Sequence, residues 1–261
     1  MLKKLLKYDM KNMLRVLVYI YVVSVGLACI TRLINIGKEI QAVAILGSVF
    51  AGITYSAVAS ILINTFVHIL RIFITSFYKD ESYLTHTLPV KKSKLLLSKF
   101  LASLIVVFSS VAVSFLCLFI VLYSKGFIQT LSALIDLAVM NFNMPSWLFI
   151  TLFVLNIFAQ ICAMISMSFA AVVKANTYNQ KRVLYGLLWF LAFYFATSMA
   201  TVLISSIAFA VSGNFSDLIA SQLSQGAFIS ILVIGLMVYV GAALLFYLIS
   251  YKMLKKGVNV D

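Results

Sequence analysis

Acidic residues are scarce. The 261-residue chain has seven of them against twenty Lys and Arg, and only 10% of its residues are charged, where about 25% is ordinary for soluble domains. The seven are Asp9, Glu39, Asp80, Glu81, Asp136, Asp217 and Asp261. All fall in expected loops or interfaces and none in the middle of an apolar run. A proton-coupled carrier or an intramembrane aspartyl protease needs a buried carboxylate, so both classes are disfavoured. Histidine is equally rare: His68 and His86 form no HExxH pairing, which argues against a zinc site. The chain has no GxSxG elbow for a serine nucleophile. It also lacks the GxxxxGK(S/T) loop that cradles nucleotide phosphates. It does not read as an enzyme. Cys29, Cys117 and Cys162 lie inside apolar runs, offer no disulfide framework and are expected as small buried thiols. Two prolines and eleven glycines leave no room for long linkers or low-complexity tails.

What the chain has in excess is apolar surface. Hydrophobic residues make up 64%, against roughly 45–50% in soluble domains, and the mean hydropathy is +1.11. A soluble core cannot hide that much, so the remainder must face lipid. Six runs are long enough to cross a bilayer, for which about 20 apolar residues are needed: about 14–31, 42–70, 95–123, 147–173, 183–211 and 227–250. None alternates with the period of a barrel strand. The expected fold is an all-α membrane protein with six transmembrane helices and no separate soluble domain. The first run lacks a small-residue cleavage site and is read as a retained span.

Charge orients the six spans. Lys3, Lys4, Lys7, Lys11 and Arg15 precede or open the first. Arg71, Lys79, Lys91, Lys92, Lys94 and Lys99 surround the connection between the second and third. Lys174, Lys181 and Arg182 join the fourth to the fifth, and Lys252, Lys255 and Lys256 follow the sixth. Seventeen basic residues thus fall on one side, against Arg32, Lys38 and Lys125 on the other. The positive-inside rule places both termini in the cytoplasm. The net charge of +13 then reports topology and contact with anionic membrane lipids, and nucleic acid is a poor partner for it.

Local patterns add detail. Residues 1–13 are expected as an interfacial elbow helix. Leu2, Leu5, Leu6, Met10, Met13 and Leu14 share one broad face at about 100° per residue, with Lys4, Lys7, Lys11 and Arg15 on the other. From Gln41 to Tyr78 there are 38 residues without proline, roughly 57 Å of helix against a hydrocarbon core of about 30 Å. Its excess is expected to project into the cytoplasm. The segment that follows, 79–92, carries Asp80, Glu81 and Ser82 as capping residues for a short helix, and Pro89 biases Leu88 away from helix. It reads as a docking element. On the outer side, 124–146 contains the amphipathic FIQTLSALIDLAVM around Asp136, and Trp147 opens the fourth span at aromatic-belt level.

Polar residues inside spans are candidate sites. Asn64 with His68, and Asn156 with Gln160, are each four apart and share a helix face. Such faces turn toward protein or a water cavity, so the two pairs are candidates for a cargo path; interhelical hydrogen bonding is the alternative. Thr197, Thr201 and Ser205 give the fifth span a small-residue face, suited either to internal packing or to a homodimer seam.

The stretch from Tyr78 through Lys99, with YLTHTLPV followed by a lysine cluster, resembles permease subunits of bacterial type-2 ABC exporters, in which a similar turn follows the second span. The ending KMLKKGVNVD, Lys252 to Asp261, is similar to the closing segment of the same permeases. The likeness implies a multi-pass protein of the bacterial cytoplasmic membrane, with 14–250 as the six-helix bundle and 251–261 as a cytoplasmic tail. It also implies a paired permease, a homodimer in the simplest case, served by two copies of a separate ATPase that holds the ATP and Mg; this chain would bind no cofactor and no metal. The family's coupling helix would fall on Lys79, Asp80, Glu81, Ser82, Tyr83, Leu84, Thr85, Thr87, Leu88 and Pro89. Within the family the chain looks most like exporters of amphipathic peptides of the phenol-soluble-modulin type, and its uncharged, Met- and aromatic-rich spans suit such a cargo better than a small ion. The competing reading is a non-transporting immunity or sensor protein that binds a peptide. A channel would need a polar or charged ring that the sequence does not offer.

Overall fold

The computed structural model describes residues 2–37, 41–78, 92–123, 127–130, 132–133, 136, 145–178, 180–211 and 225–255. Six long helices dominate: α1 (Leu2–Ile36), α2 (Gln41–Tyr78), α3 (Lys92–Leu122), α4 (Ser146–Ala175), α5 (Arg182–Val211) and α6 (Gln225–Lys255). All six are long and apolar enough to cross a membrane, and the described residues contain no strand. This is a multi-pass helical membrane protein. In hydrocarbon each backbone N–H and C=O must be satisfied within its own segment, so uninterrupted helices are the economical solution. The described proline respects that rule. Pro145 sits just ahead of α4 with extended backbone (φ −64°, ψ 133°), where its missing N–H is harmless, and its carbonyl accepts from the N–H of Leu148 at 3.0 Å. Pro89 lies outside the described residues.

The helix expected over Gln41–Tyr78 forms over those residues. The expected elbow and the first span are one unbroken helix, α1, of 35 residues. Within 124–146, residues 127–130, 132–133 and 136 are helical. Of the three thiols expected to be buried, Cys117 is buried and Cys162 half-buried, but Cys29 is exposed. On a helix that faces both protein and lipid, an apolar run does not say which residues point which way.

The chain divides into two compact units, Met1–Gln129 and Thr130–Asp261. In the first, α1 packs on both α2 and α3. Its buried row is Asp9, Met13, Leu17, Tyr21, Ser24, Ala28 and Thr31, at the three- and four-residue spacing of one helix face. Ala28, Val58, Cys117 and Val121 form an apolar cluster. Hydroxyl contacts lie on either side of it. The Tyr21 and Ser110 hydroxyls are 2.6 Å apart, and Ser110 is 2.7 Å from Thr65; nearer the other end, Thr31 and Thr54 are 2.7 Å apart. Asn35 Oδ1 stands where a Cβ on Gly47 would come within 2.7 Å of it. Glycine at that position therefore lets α1 and α2 approach closely.

In the second unit α4 packs mainly on α6 and on α5. Ala163, Met167, Ala170 and Phe246 make its core cluster, and Phe193 of α5 meets Phe246 with ring centroids 4.7 Å apart. On α5 only Thr197 and Phe209 are buried, so most of that helix offers its side chains outward. The α4–α5 turn is closed by the Asn176 side chain, which donates to the Val172 carbonyl at 2.8 Å. Tyr178 stacks on Tyr185 at 4.3 Å, and Lys181 takes a left-handed conformation with φ 51°.

Hydroxyl pairs between membrane helices contribute about 0.6 kcal/mol on average and at most about 1.7. Replacing Ser110 with Ala, which removes contacts to both α1 and α2, is expected to lower stability by about 1 kcal/mol in a denaturing-detergent titration. Ser205→Ala, whose hydroxyl donates only to Val202 on its own helix, should leave the midpoint unchanged.

Candidate functional site: a buried ionic joint

The most unusual chemistry in the chain lies where the ends of α1, α2 and α3 converge. Asp9 and Lys99 are 8% and 5% exposed. Lys99 Nζ lies 3.0 Å from Asp9 Oδ1, and the Ser98 hydroxyl donates to Asp9 Oδ2 at 2.6 Å. Lys99 Nζ also donates to Ser76 Oγ at 2.9 Å and lies 5.8 Å from the Phe77 ring centroid. Each carboxylate oxygen therefore has a donor, and the ammonium has two oxygen acceptors and an aromatic face. Three helices contribute: Asp9 from α1, Ser76 and Phe77 from the last turn of α2, Ser98 and Lys99 from the second turn of α3.

Local sequence explains the placement. Between Lys99 and the end of α3 there is no further charge, and none between Gln41 and Arg71 on α2. The joint thus sits at the level where charge gives way to uninterrupted apolar helix. Here the ions are sheltered by protein. Removing two ions from water costs several kcal/mol each, and their attraction repays this only with good geometry and further hydrogen bonds. The net gain of such a pair is small, but separating its two members is costly.

The joint also brackets 79–92. Ser76 lies three residues before it and Lys99 seven after it, and Tyr78, Leu95 and Leu96 are buried beside these residues in sequence. The coupling residues expected from Lys79 to Pro89 lie outside the described residues; their two stems are joined through Ser76 and Lys99.

The other candidates distribute as follows. Asn64 is exposed on α2 and its Nδ2 donates to the Ser60 carbonyl and hydroxyl, at 2.9 and 2.8 Å. His68 is half-buried and lies beside the backbone of Asn12 and Met13, with Nε2 buried and without a hydrogen-bond partner. Asn156 donates across to the Leu232 carbonyl of α6 at 3.0 Å, and to Leu152 on its own helix at 2.9 Å. Gln160 is half-buried one turn along. Asn64 and His68 belong to the first unit, Asn156 and Gln160 to the second. Thr197 is buried, donates to the Phe193 carbonyl at 2.7 Å and lies 4.0 Å from Met167 Sδ on α4. Thr201 and Ser205 donate to carbonyls of their own helix at 2.9 Å. Among the described residues no three His, Cys, Asp or Glu side chains come together as metal ligands.

Sequence reasoning passed over Asp9 and Lys99, reading the first as an interfacial acid and the second as one cytoplasmic lysine among many. A signal was present. At about 100° per residue, Asp9 falls inside the apolar face of its own helix, between Leu5 and Met13, where a carboxylate must be partnered.

No family model, no curated protein and no solved structure matches the chain.

Breaking a buried pair by removing one partner costs about 3–5 kcal/mol. Asp9→Asn and Lys99→Met are each expected to fall in that range by thermal or denaturing-detergent unfolding. The exchange Asp9→Lys with Lys99→Asp should recover most of the loss, because Ser76 and Ser98 can donate or accept. An exchange variant no better than the singles would remove the pair from its role.

Proposed function

We propose that the chain is the permease subunit of an ATP-driven ABC exporter in a bacterial cytoplasmic membrane, with both termini in the cytoplasm and residues 79–92 as the segment that docks a separate ATPase. The cargo class that fits is an amphipathic peptide or similar hydrophobic molecule. The observation that carries the reading is the YLTHTLPV sequence with its lysine cluster, which connects helix ends held by Asp9, Ser76 and Lys99. A docking segment needs stems that transmit force. A floppy connection would absorb the partner's movement, whereas stems pinned by a buried ion pair pass it to α1 through α3. ATP binding would close two partner ATPases, and the coupled spans would change cavity access. Such coupling requires nucleotide to favour one arrangement over another, since binding without that difference shifts nothing. Asn64 and His68 in the first unit and Asn156 and Gln160 in the second are the proposed cargo-path residues, and Thr201 and Ser205 are the proposed seam with a second permease copy; Thr197 is instead buried against Met167 of α4.

Purification in mild detergent from the native membrane should bring down a stoichiometric protein with a GxxxxGK(S/T) loop. Leu84→Asp or Pro89→Asp should reduce its recovery roughly tenfold, as loss of one interface anchor does, while insertion is unchanged. Recovery equal to wild type from both variants would move the docking site elsewhere. A chain that stays alone even with an ATP analogue present would sink the exporter reading and favour the peptide-binding alternative.

A further inference from the structure

The N-terminal three turns of α1 carry a groove that the joint leaves unexplained. It is open, formed along one face of this single helix by Lys3, Leu6, Lys7, Met10, Lys11 and Leu14. Two rows define it. Lys3, Lys7 and Lys11 are exposed, while Leu6, Met10 and Leu14 are half-buried. Both rows step by four residues and so run side by side along the helix, with roughly 6 Å between successive lysine positions.

Charge singles this surface out. Asp9 is the only acid among the first 38 residues. At about 100° per residue it points away from the lysine row, and Lys99 engages it inside the bundle. Asp9 therefore places no anion on the lysine-bearing face of α1. The face keeps three ammonium groups beside an apolar strip, on a helix that continues into a membrane span.

We propose that this groove is a binding site for an anionic phospholipid of the adjoining leaflet, its phosphate held by Lys3, Lys7 and Lys11 and the upper part of an acyl chain lying along Leu6, Met10 and Leu14. A diacyl phospholipid matches both rows at once, which a free anion does not. The site requires only that the chain sits in a membrane, and it holds whether or not the exporter reading does.

The test uses the full chain in mild detergent, with native mass spectrometry following retention of phosphatidylglycerol and phosphatidylcholine. The triple variant Lys3→Gln, Lys7→Gln, Lys11→Gln should weaken phosphatidylglycerol retention on the order of 100-fold, at about tenfold or less per lysine near a charged membrane surface. A control triple of equal charge change at exposed positions, Lys181→Gln, Lys252→Gln, Lys255→Gln, should change it less than about threefold, because these lysines do not line the groove and act only through screened attraction. Phosphatidylcholine should be indifferent to both. Equal losses from the two triples would mean diffuse attraction and overturn the site. So would displacement of the lipid by millimolar inorganic phosphate, or unaltered retention by the groove triple.

Discussion

Hydrocarbon offers no hydrogen bonds, and this constraint shapes everything else in the chain. Polar side chains within hydrocarbon are driven to partners on a neighbouring helix or on their own backbone. Tyr21, Thr31 and Asp9 take the first course. Thr201, Ser205 and Ser230, on the more exposed α5 and α6, take the second. The difference separates the two halves of the molecule. The first unit is laced by polar contacts between helices, whereas the second relies more on small and aromatic side chains, with Asn156 the described cross-helix donor to backbone.

The ionic joint belongs to the same logic at a different depth. Its members lie where charges cease along α2 and α3, so the protein itself must exclude water from them. Two hydroxyls complete the ion pair, each from a helix end that borders 79–92. Geometry of this kind resists small displacements steeply, because any separation exposes two unmatched ions at once. It gives three helix ends a common reference point that apolar packing, which tolerates sliding, does not supply.

The fold was largely legible in the sequence, because twenty-residue apolar runs admit few alternatives in a bilayer. The 38-residue length of α2 was legible too, since no proline interrupted it. The joint was harder to read. Asp9 and Lys99 are 90 residues apart, and each has an ordinary local explanation: an acid beside lysines, a lysine beside other lysines. Periodicity shows which face of a helix is apolar, but it does not name the neighbour. The same ambiguity explains Cys29, which shares an apolar run with Ala28 yet turns outward while Ala28 is buried. Asn156 had two readings, and its bond to the Leu232 carbonyl came from tertiary placement that no spacing encodes.

That 90-residue separation also sets an order in time. A ribosome adding roughly 5–20 residues per second makes Lys99 some 5–18 seconds after Asp9. Throughout that interval the carboxylate has no cation from α3, and the turn of α1 that carries it has no reason to settle. The N-terminal turns are therefore made well before the residue that locks them, and the joint can close once α3 is made, while α4, α5 and α6 are still to come.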